Sequence, residues 1–303
     1  MSLRVEICAE DTSADPAILN TLGYKNTINA IVSARKIIVV CGAGISTHAG
    51  IPCFSDETKP TDGQKGSRRR NRDLFDAALL REPEMMSEFL KCIGNLHVLA
   101  QKAAPTPFHR VLQLLDDRTQ LLRVYTPNVD GLEEKGGLTI GIPAVNKFSK
   151  QRYAKGIQLP PATEIPRCIP LHGSCRKLHC PICHHVYNMD ANIHFILGGT
   201  LPICTKCSDR SASRVQSGKH PLGIPTLRPS ITLYSEEHEQ GEIISEIVGG
   251  DLREVSAPSQ SKGTVILLVA GTRLGVAGTK SLVKEMAKAV KARNGTHARD
   301  NKK

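Results

Sequence analysis

Long apolar runs are missing from this sequence of 303 residues: the longest is Val265 to Ala270, far short of the roughly 20 residues that a membrane-spanning helix requires. No membrane partner is expected. A secretory leader is missing too, because Glu6, Glu10, Asp11 and Asp15 occupy the start where a basic segment and an apolar stretch would stand. That points to an intracellular, reducing setting, in which the ten cysteines are expected to be thiols or metal ligands and not disulfides. Internal repeats are absent, and the polar stretch Ser208 to Ser217 is the only biased tract. With 40% apolar and 23% charged residues the composition is that of a globular chain. The length suffices for one large α/β domain or for a core domain carrying an inserted module.

What is present begins with charge. The net charge is +11, and more than half of the excess lies between Lys280 and Lys303. A second basic cluster, Lys65 with Arg68, Arg69, Arg70 and Arg72, follows a Lys, Pro, Thr, Asp and Gly-rich stretch that reads as an exposed loop. Such clusters serve as nuclear-import or nucleic-acid patches, but a solvated charged face is the commoner reading.

Secondary-structure patterning alternates. Ile28 to Ala34 has helical apolar spacing, and Lys36 to Val40 is a β-branched run ending at Gly42-Ala43-Gly44. Helical patterns recur over Leu74 to Leu80, Glu84 to Leu99 and His109 to Leu115, before a second apolar strand over Leu121 to Tyr125. A third strand, Val265 to Val269, runs into Gly271, and Ser281 to Arg293 places Leu282, Val283, Met286, Ala289 and Val290 on one helical face. This order predicts a Rossmann-like parallel sheet with helices on both faces. Expected boundaries are an extension over 1–24, a nucleotide-binding domain in two parts (25–174 and 224–293), a helical segment from about 60 to 105, a small module over 175–223 and a polar basic tail over 294–303.

Within the small module, Cys180-Pro-Ile-Cys183 and Cys204-Thr-Lys-Cys207 form two C-x-x-C knuckles. Two such knuckles converge on one tetrahedral zinc ion, and four sulfur ligands leave no open position for water, so the metal is structural. His179, His184 and His185 flank the first knuckle and are not needed as ligands. Cys8, Cys41, Cys53, Cys92, Cys168 and Cys175 belong to no motif and are expected to be buried small residues.

The turn Gly42-Ala43-Gly44-Ile45-Ser46-Thr47-His48-Ala49-Gly50-Ile51-Pro52 follows a parallel strand, where glycines let backbone N–H groups approach a pyrophosphate. The dehydrogenase fingerprint needs glycine where Thr47 stands, which argues against hydride transfer. Together with Phe54, Thr126, Asn128-Val129-Asp130-Gly131, Leu171-His172-Gly173, the four cysteines and Gly271-Thr272-Arg273-Leu274, this turn resembles the sirtuin family of NAD-dependent protein-lysine deacylases. Leu227-Arg228-Pro229, Leu233 to Glu236 and Arg273 to Lys280 look most like the fungal nuclear branch that acts on core histones.

The resemblance implies a function. NAD is expected over Gly42, Ala43, Gly44, Ile45, Ser46, Pro52 and Phe54, with Thr126, Asn128 and Asp130 at the nicotinamide end. Gly271, Thr272 and Arg273 are expected on the adenosine side, with the hydroxyls of Ser46 and Thr272 as partners. His172, Asn128 and Asp130 form the implied catalytic set: His172 is the general base on a ribose hydroxyl, and the acetyl group passes to ADP-ribose as nicotinamide leaves. The implied partners are acetylated histone tails, which lie extended and add a strand near Leu233 to Glu236. Contact with chromatin is expected to be indirect, through DNA, and the expected location is nuclear.

The chain departs from the family pattern in three places. Cys53-Phe54-Ser55 stands for Asp-Phe-Arg, Pro127 stands for Gln, and the polar residues after Arg293 stand where the family continues into a strand and an adenine loop. Serine lacks the donor fork of arginine, and proline removes a side-chain amide and an N–H. The expectation is an NAD-dependent histone deacetylase weakened by these changes. The alternatives are a non-catalytic fold that recognises acyl-lysine tails and, more remotely, a zinc-ribbon nucleic-acid module.

Overall fold

The computed structural model describes residues 22–53, 73–144, 159–257 and 263–300. Its first helix, α1 (Leu22–Ser33), leads into β1 (Lys36–Cys41). Two single 3-10 turns, Ala43–Ile45 and Thr47–Ala49, follow that strand. Next come α2 (Pro83–Lys102), α3 (Pro107–Asp117), β2 (Leu121–Thr126), the short α4 (Leu132–Lys135) and β3 (Cys168–Pro170). Strands β4 (Gly173–His179) and β5 (Val186–Asn188) precede α5 (Ile193–Leu197), α6 (Thr205–Gln216) and β6 (Arg228–Ile231). The described chain closes with α7 (Gly241–Ser256), β7 (Val265–Ala270) and α8 (Ala277–Asp300).

Four strands form one sheet in the order β3-β2-β1-β7, and all three of its pairings are parallel. β1 and β2 are almost wholly buried, as central strands covered on both faces must be. One face packs Ile38, Val40 and Tyr125 against Ile247 of α7 and Met286 of α8; the other packs Ile37, Val39 and Val124 against Leu112 and Leu115 of α3. The α/β expectation is met, with β3 as a fourth parallel strand that the pattern did not show. A second, antiparallel sheet, β5-β4-β6, shares a core with α2, where Phe89, Leu90 and Ile93 meet Leu178, Met189 and Ile196.

Two local expectations are corrected. Leu74 to Leu80 is not an α-helix: it holds two 3-10 turns, Asp73–Phe75 and Leu79–Arg81, separated by a bridge at Asp76 to Tyr234. Near Leu233 to Glu236, where the substrate is expected to pair, Tyr234 bridges Asp76, its N–H donating to Phe75 O and its carbonyl accepting from Ala77 N. The last helix does not end near Arg293; it runs on to Asp300, because no proline interrupts it and one glycine costs a helix only about 1 kcal/mol. Asn294 secures that extension by bonding both the N–H and the carbonyl of Val265. Among the described residues no helix is long and apolar enough to cross a membrane. The 1–21 segment, Phe54, Ser55 and the Lys65 to Arg72 basic cluster lie outside the described residues.

Candidate active site and zinc-binding cluster

Parallel strands place their carboxyl ends along one edge, where the crevice of an open α/β sheet binds ligands. Gly42 follows β1, Asn128 and Asp130 follow β2, His172 follows β3 and Gly271 follows β7. The residues singled out from scattered motifs therefore share that edge. The β1 and β7 turns interlock: Gly44 N donates to Gly271 O at 2.9 Å, and a Cβ on Gly42 would stand 2.7 Å from Thr272 Cβ. Gly271 has φ 64°, and a Cβ there would lie 2.5 Å from Ile45 N, so a side chain at this position forces the two turns apart. Thr106, the N-cap of α3, fixes the first turn from below by donating to Ile45 O at 2.9 Å.

The interlock changes the reading of the turn. The N–H groups of Gly42, Gly44, Ile45 and Ser46 all donate to protein carbonyls, so they brace the turn. Ser46 is fully buried, and its hydroxyl is one of the buried polar atoms without a hydrogen-bond partner, as a group completed by a ligand would be. The Thr272 hydroxyl accepts from Leu274 N at 3.0 Å and keeps its own proton to donate. Ala43 and Ile45 lie in the same turn, while Pro52 and Arg273 are exposed at its rim. Burial of Ser46, Asn128 and Asp130, together with glycines where a Cβ would collide, fits a cofactor held by close backbone approach.

The loop after β2 is the most tightly built part. Asn128 N donates to Thr126 Oγ1 at 3.1 Å, and its side-chain amide donates to Gly42 O at 3.3 Å, tying the loops of β1 and β2 together. Asp130 accepts from Leu132 N at 2.9 Å, a local turn just before α4, whose N-cap is Gly131. Pro127 removes no bond from this arrangement, since Thr126 and Asn128 carry it. His172 is half-buried, its carbonyl accepting from Thr232 N beside β6. Burial first, and then the neighbouring His238, holds the His172 pKa below the usual imidazole value. Sequence reasoning missed His238 and Glu133. Glu133 is buried under the loop and receives the Thr126 hydroxyl at 2.6 Å.

The four cysteines meet at the far end of the second sheet. Their sulfur atoms all lie within 4.8 Å of one another, with Cys180 to Cys207 at 3.8 Å and Cys183 to Cys204 at 3.6 Å. Sulfurs about 2.3 Å from a tetrahedral zinc ion are separated by about 3.8 Å, so the cluster fits that metal. Tyr187 adds a hydroxyl 3.2 Å from Cys204 Sγ, the kind of outer contact that orients a thiolate. Of the remaining cysteines, Cys41, Cys168 and Cys175 are buried as expected, Cys53 and Cys92 are half-buried, and Cys8 lies outside the described residues.

Fold and cluster together define an α/β protein with a ligand edge at its strand ends and a four-cysteine module beside it. The chain belongs to the Sir2 family, which it matches over residues 42–150 and 158–277. It is 34% identical over 275 residues to the NAD-dependent histone deacetylase HST3 of Candida albicans, covering 88% of this chain and 53% of that protein. It is 33% identical over 272 residues to the NAD-dependent protein deacetylase hst4 of Schizosaccharomyces pombe, covering 88% and 60%. The chain thus spans between about half and three-fifths of these two relatives. Among solved structures it shares its fold with Sir2Tm bound to a propionylated peptide, at TM-score 0.57 and 20% identity, covering 88% of this chain and 82% of that one.

Proposed function

We infer that the chain is an NAD-dependent protein-lysine deacetylase whose substrates are acetylated histone tails and whose place of work is the nucleus. The observation that carries this reading is the gathering of His172, Asn128, Asp130, Gly42 and Gly271 along one edge of the parallel sheet. Relatives named as histone deacetylases support the substrate class.

NAD, when bound, supplies an electrophilic ribose carbon and nicotinamide as leaving group. The chain supplies position and a base. The interlocked Gly42 and Gly271 turns and Ser46 hold the cofactor's body, and Asn128 and Asp130 hold its nicotinamide end. His172 accepts a proton from a ribose hydroxyl; with its pKa held low, the ring is neutral and able to accept at neutral pH. Zinc held by Cys180, Cys183, Cys204 and Cys207 braces the second sheet and takes no part in the chemistry, since four thiolates close its coordination.

The test is to incubate the purified, zinc-loaded chain with NAD and an acetylated histone-tail peptide, following nicotinamide release and peptide mass. The expected outcome is deacetylation that depends on NAD and falls by about 10²–10⁴-fold in His172→Ala. Activity should hold as pH is lowered and fall only below the ordinary imidazole value of 6.5, because a lowered pKa moves the acid limb down. Peptide binding that needs no NAD and survives His172→Ala, with no product formed, would replace this reading with the non-catalytic one.

A further inference from the structure

Glu133 stands in the first turn of α4 with 1% of its surface exposed, below the loop that carries Asn128 and Asp130. One carboxyl oxygen, Oε1, receives the Thr126 hydroxyl at 2.6 Å, and the same hydroxyl oxygen accepts from Asn128 N at 3.1 Å. A single oxygen therefore anchors the end of β2 and, through it, the peptide of Asn128. The other oxygen, Oε2, is buried without a well-formed hydrogen bond, the Asn128 amide and the Glu133 N–H being the weaker donors near the carboxyl, and their pull is smaller than that of burial. An ionised carboxylate with an unpartnered oxygen in a dry site is unfavourable, and a proton on Oε2 removes the charge while leaving the Thr126 bond in place.

Among the described residues no cation acts on this carboxyl; Arg176 of β4, whose charge reaches Cys175, is paired with Glu134. The groups that face it are Asp130 from its own loop, Cys41 from β1 and Cys168 from β3, while Asp130 itself also faces Cys175 of β4 and His109 of α3. Burial, then Asp130, pushes the Glu133 pKa up to about 7. Burial also raises the three thiols and lowers His109, so all four are neutral near pH 7. Two carboxyls thus share a low-dielectric pocket in which a cation is the missing partner.

We propose that Glu133 is the positioning residue of the Asn128–Asp130 loop and gives up its Oε2 proton to solvent when a cationic nicotinamide ring is held there, regaining it when the ring leaves. The proposal rests on the NAD-binding reading above. The charge balances: one positive ring enters, one proton departs to the buffer, and the pocket's net charge is unchanged. Nicotinamide loss then leaves a pair of carboxyls that recovers a proton.

Titration calorimetry of the full chain with NAD tests this in buffers of low and high ionisation heat, at about pH 7, with ADP-ribose as the ligand that lacks the ring. Wild type should show a buffer-dependent heat with NAD and none with ADP-ribose. NAD affinity should rise severalfold from about pH 6 to about pH 8, about fivefold if occupancy lowers the Glu133 pKa by about one. Glu133→Gln keeps an oxygen for Thr126 and should bind NAD with neither the buffer-dependent heat nor the pH trend. Equal proton release with both ligands in wild type, a comparison that needs no variant, overturns the proposal. So does an unchanged pH trend in Glu133→Gln. Failure of wild type to bind NAD at every pH overturns the functional reading itself, which is a different result from binding without proton release.

Discussion

Strand β2 carries two buried polar clusters, and they are completed to different degrees. On the side facing α7, Arg123 donates to both carboxylate oxygens of Asp251, at 3.0 and 3.1 Å, and to the carbonyls of Ile165 and Pro166. Tyr125 adds its hydroxyl to Asp251 at 2.6 Å. Every buried side-chain donor and acceptor of that cluster is matched. At the strand's end, Thr126, Asn128 and Glu133 form a second chain of bonds that stops at an unmatched oxygen. A closed cluster can only hold α7 and the Ile165–Pro166 segment to the sheet. An open one needs a proton or a ligand to finish it, and this one lies at the edge where the proposed catalytic residues gather. The four cysteines are the extreme of the open kind, since thiolates brought this close repel one another without a cation.

The largest effect should therefore follow removal of the cation from the most open cluster. Zinc analysis should find one ion per chain in the native protein and none in Cys204→Ala. Chelation should abolish hydrogen-exchange protection across β4, β5 and β6 while sparing β1 and β7. The binding free energy lost is on the order of 10 kcal/mol. Retention of that protection in the metal-free chain would mean the cluster is incidental to the second sheet.

Breaking the closed cluster comes next. Asp251→Ala strands the Arg123 guanidinium, which is 2% exposed, and should cost about 3–5 kcal/mol in denaturant unfolding. Replacing Arg123 with Met and Asp251 with Leu together removes both charges and should cost less than the single change. If the double variant were as unstable as Asp251→Ala, the cluster would be contributing attraction and not merely avoiding an unpaired charge.

These clusters also mark the limit of what the amino-acid order discloses. β1 and β7 are legible because β-branched and apolar runs end in glycine, and the zinc cluster is legible because two C-x-x-C knuckles have few other uses. β3 is three residues long and ends in Pro170, too short to carry a period. Arg123 looks like a flaw in an apolar strand until Asp251, far along the chain, is beside it. Glu133 and Glu134 are the sharpest case. Adjacent acids at the start of a helix read as solvated groups complementing its dipole. Glu134 meets that expectation, half-exposed and paired with Arg176, whereas its neighbour is buried. One step along a helix turns a side chain by about 100°, and only packing decides which of the two faces inward.

Thr126→Val tests the open cluster with a smaller expected effect. It strands Asn128 N and Glu133 Oε1 and should cost about 1–3 kcal/mol of stability, with weaker NAD binding beside it. Thr126→Ser restores the hydroxyl and should recover most of both. Recovery of stability without recovery of NAD affinity would separate the Thr126 bond from the ligand edge.

The subtlest expectation is a slope. Glu133→Gln preserves the bond to Thr126, so below the ordinary glutamate value of 4.5, where the wild-type carboxyl is neutral folded and unfolded, the two proteins should be nearly equal in stability. A folded pKa near 7 lies above the unfolded one, so the stability conferred by the neutral group is present below about 4.5 and lost as pH rises towards 7. Wild type should therefore fall behind Glu133→Gln across that interval and run parallel to it above. Denaturant unfolding at half-unit pH steps measures this directly. Parallel curves at every pH would mean that Glu133 is already paired in the folded chain, and the open cluster would then belong with the closed one.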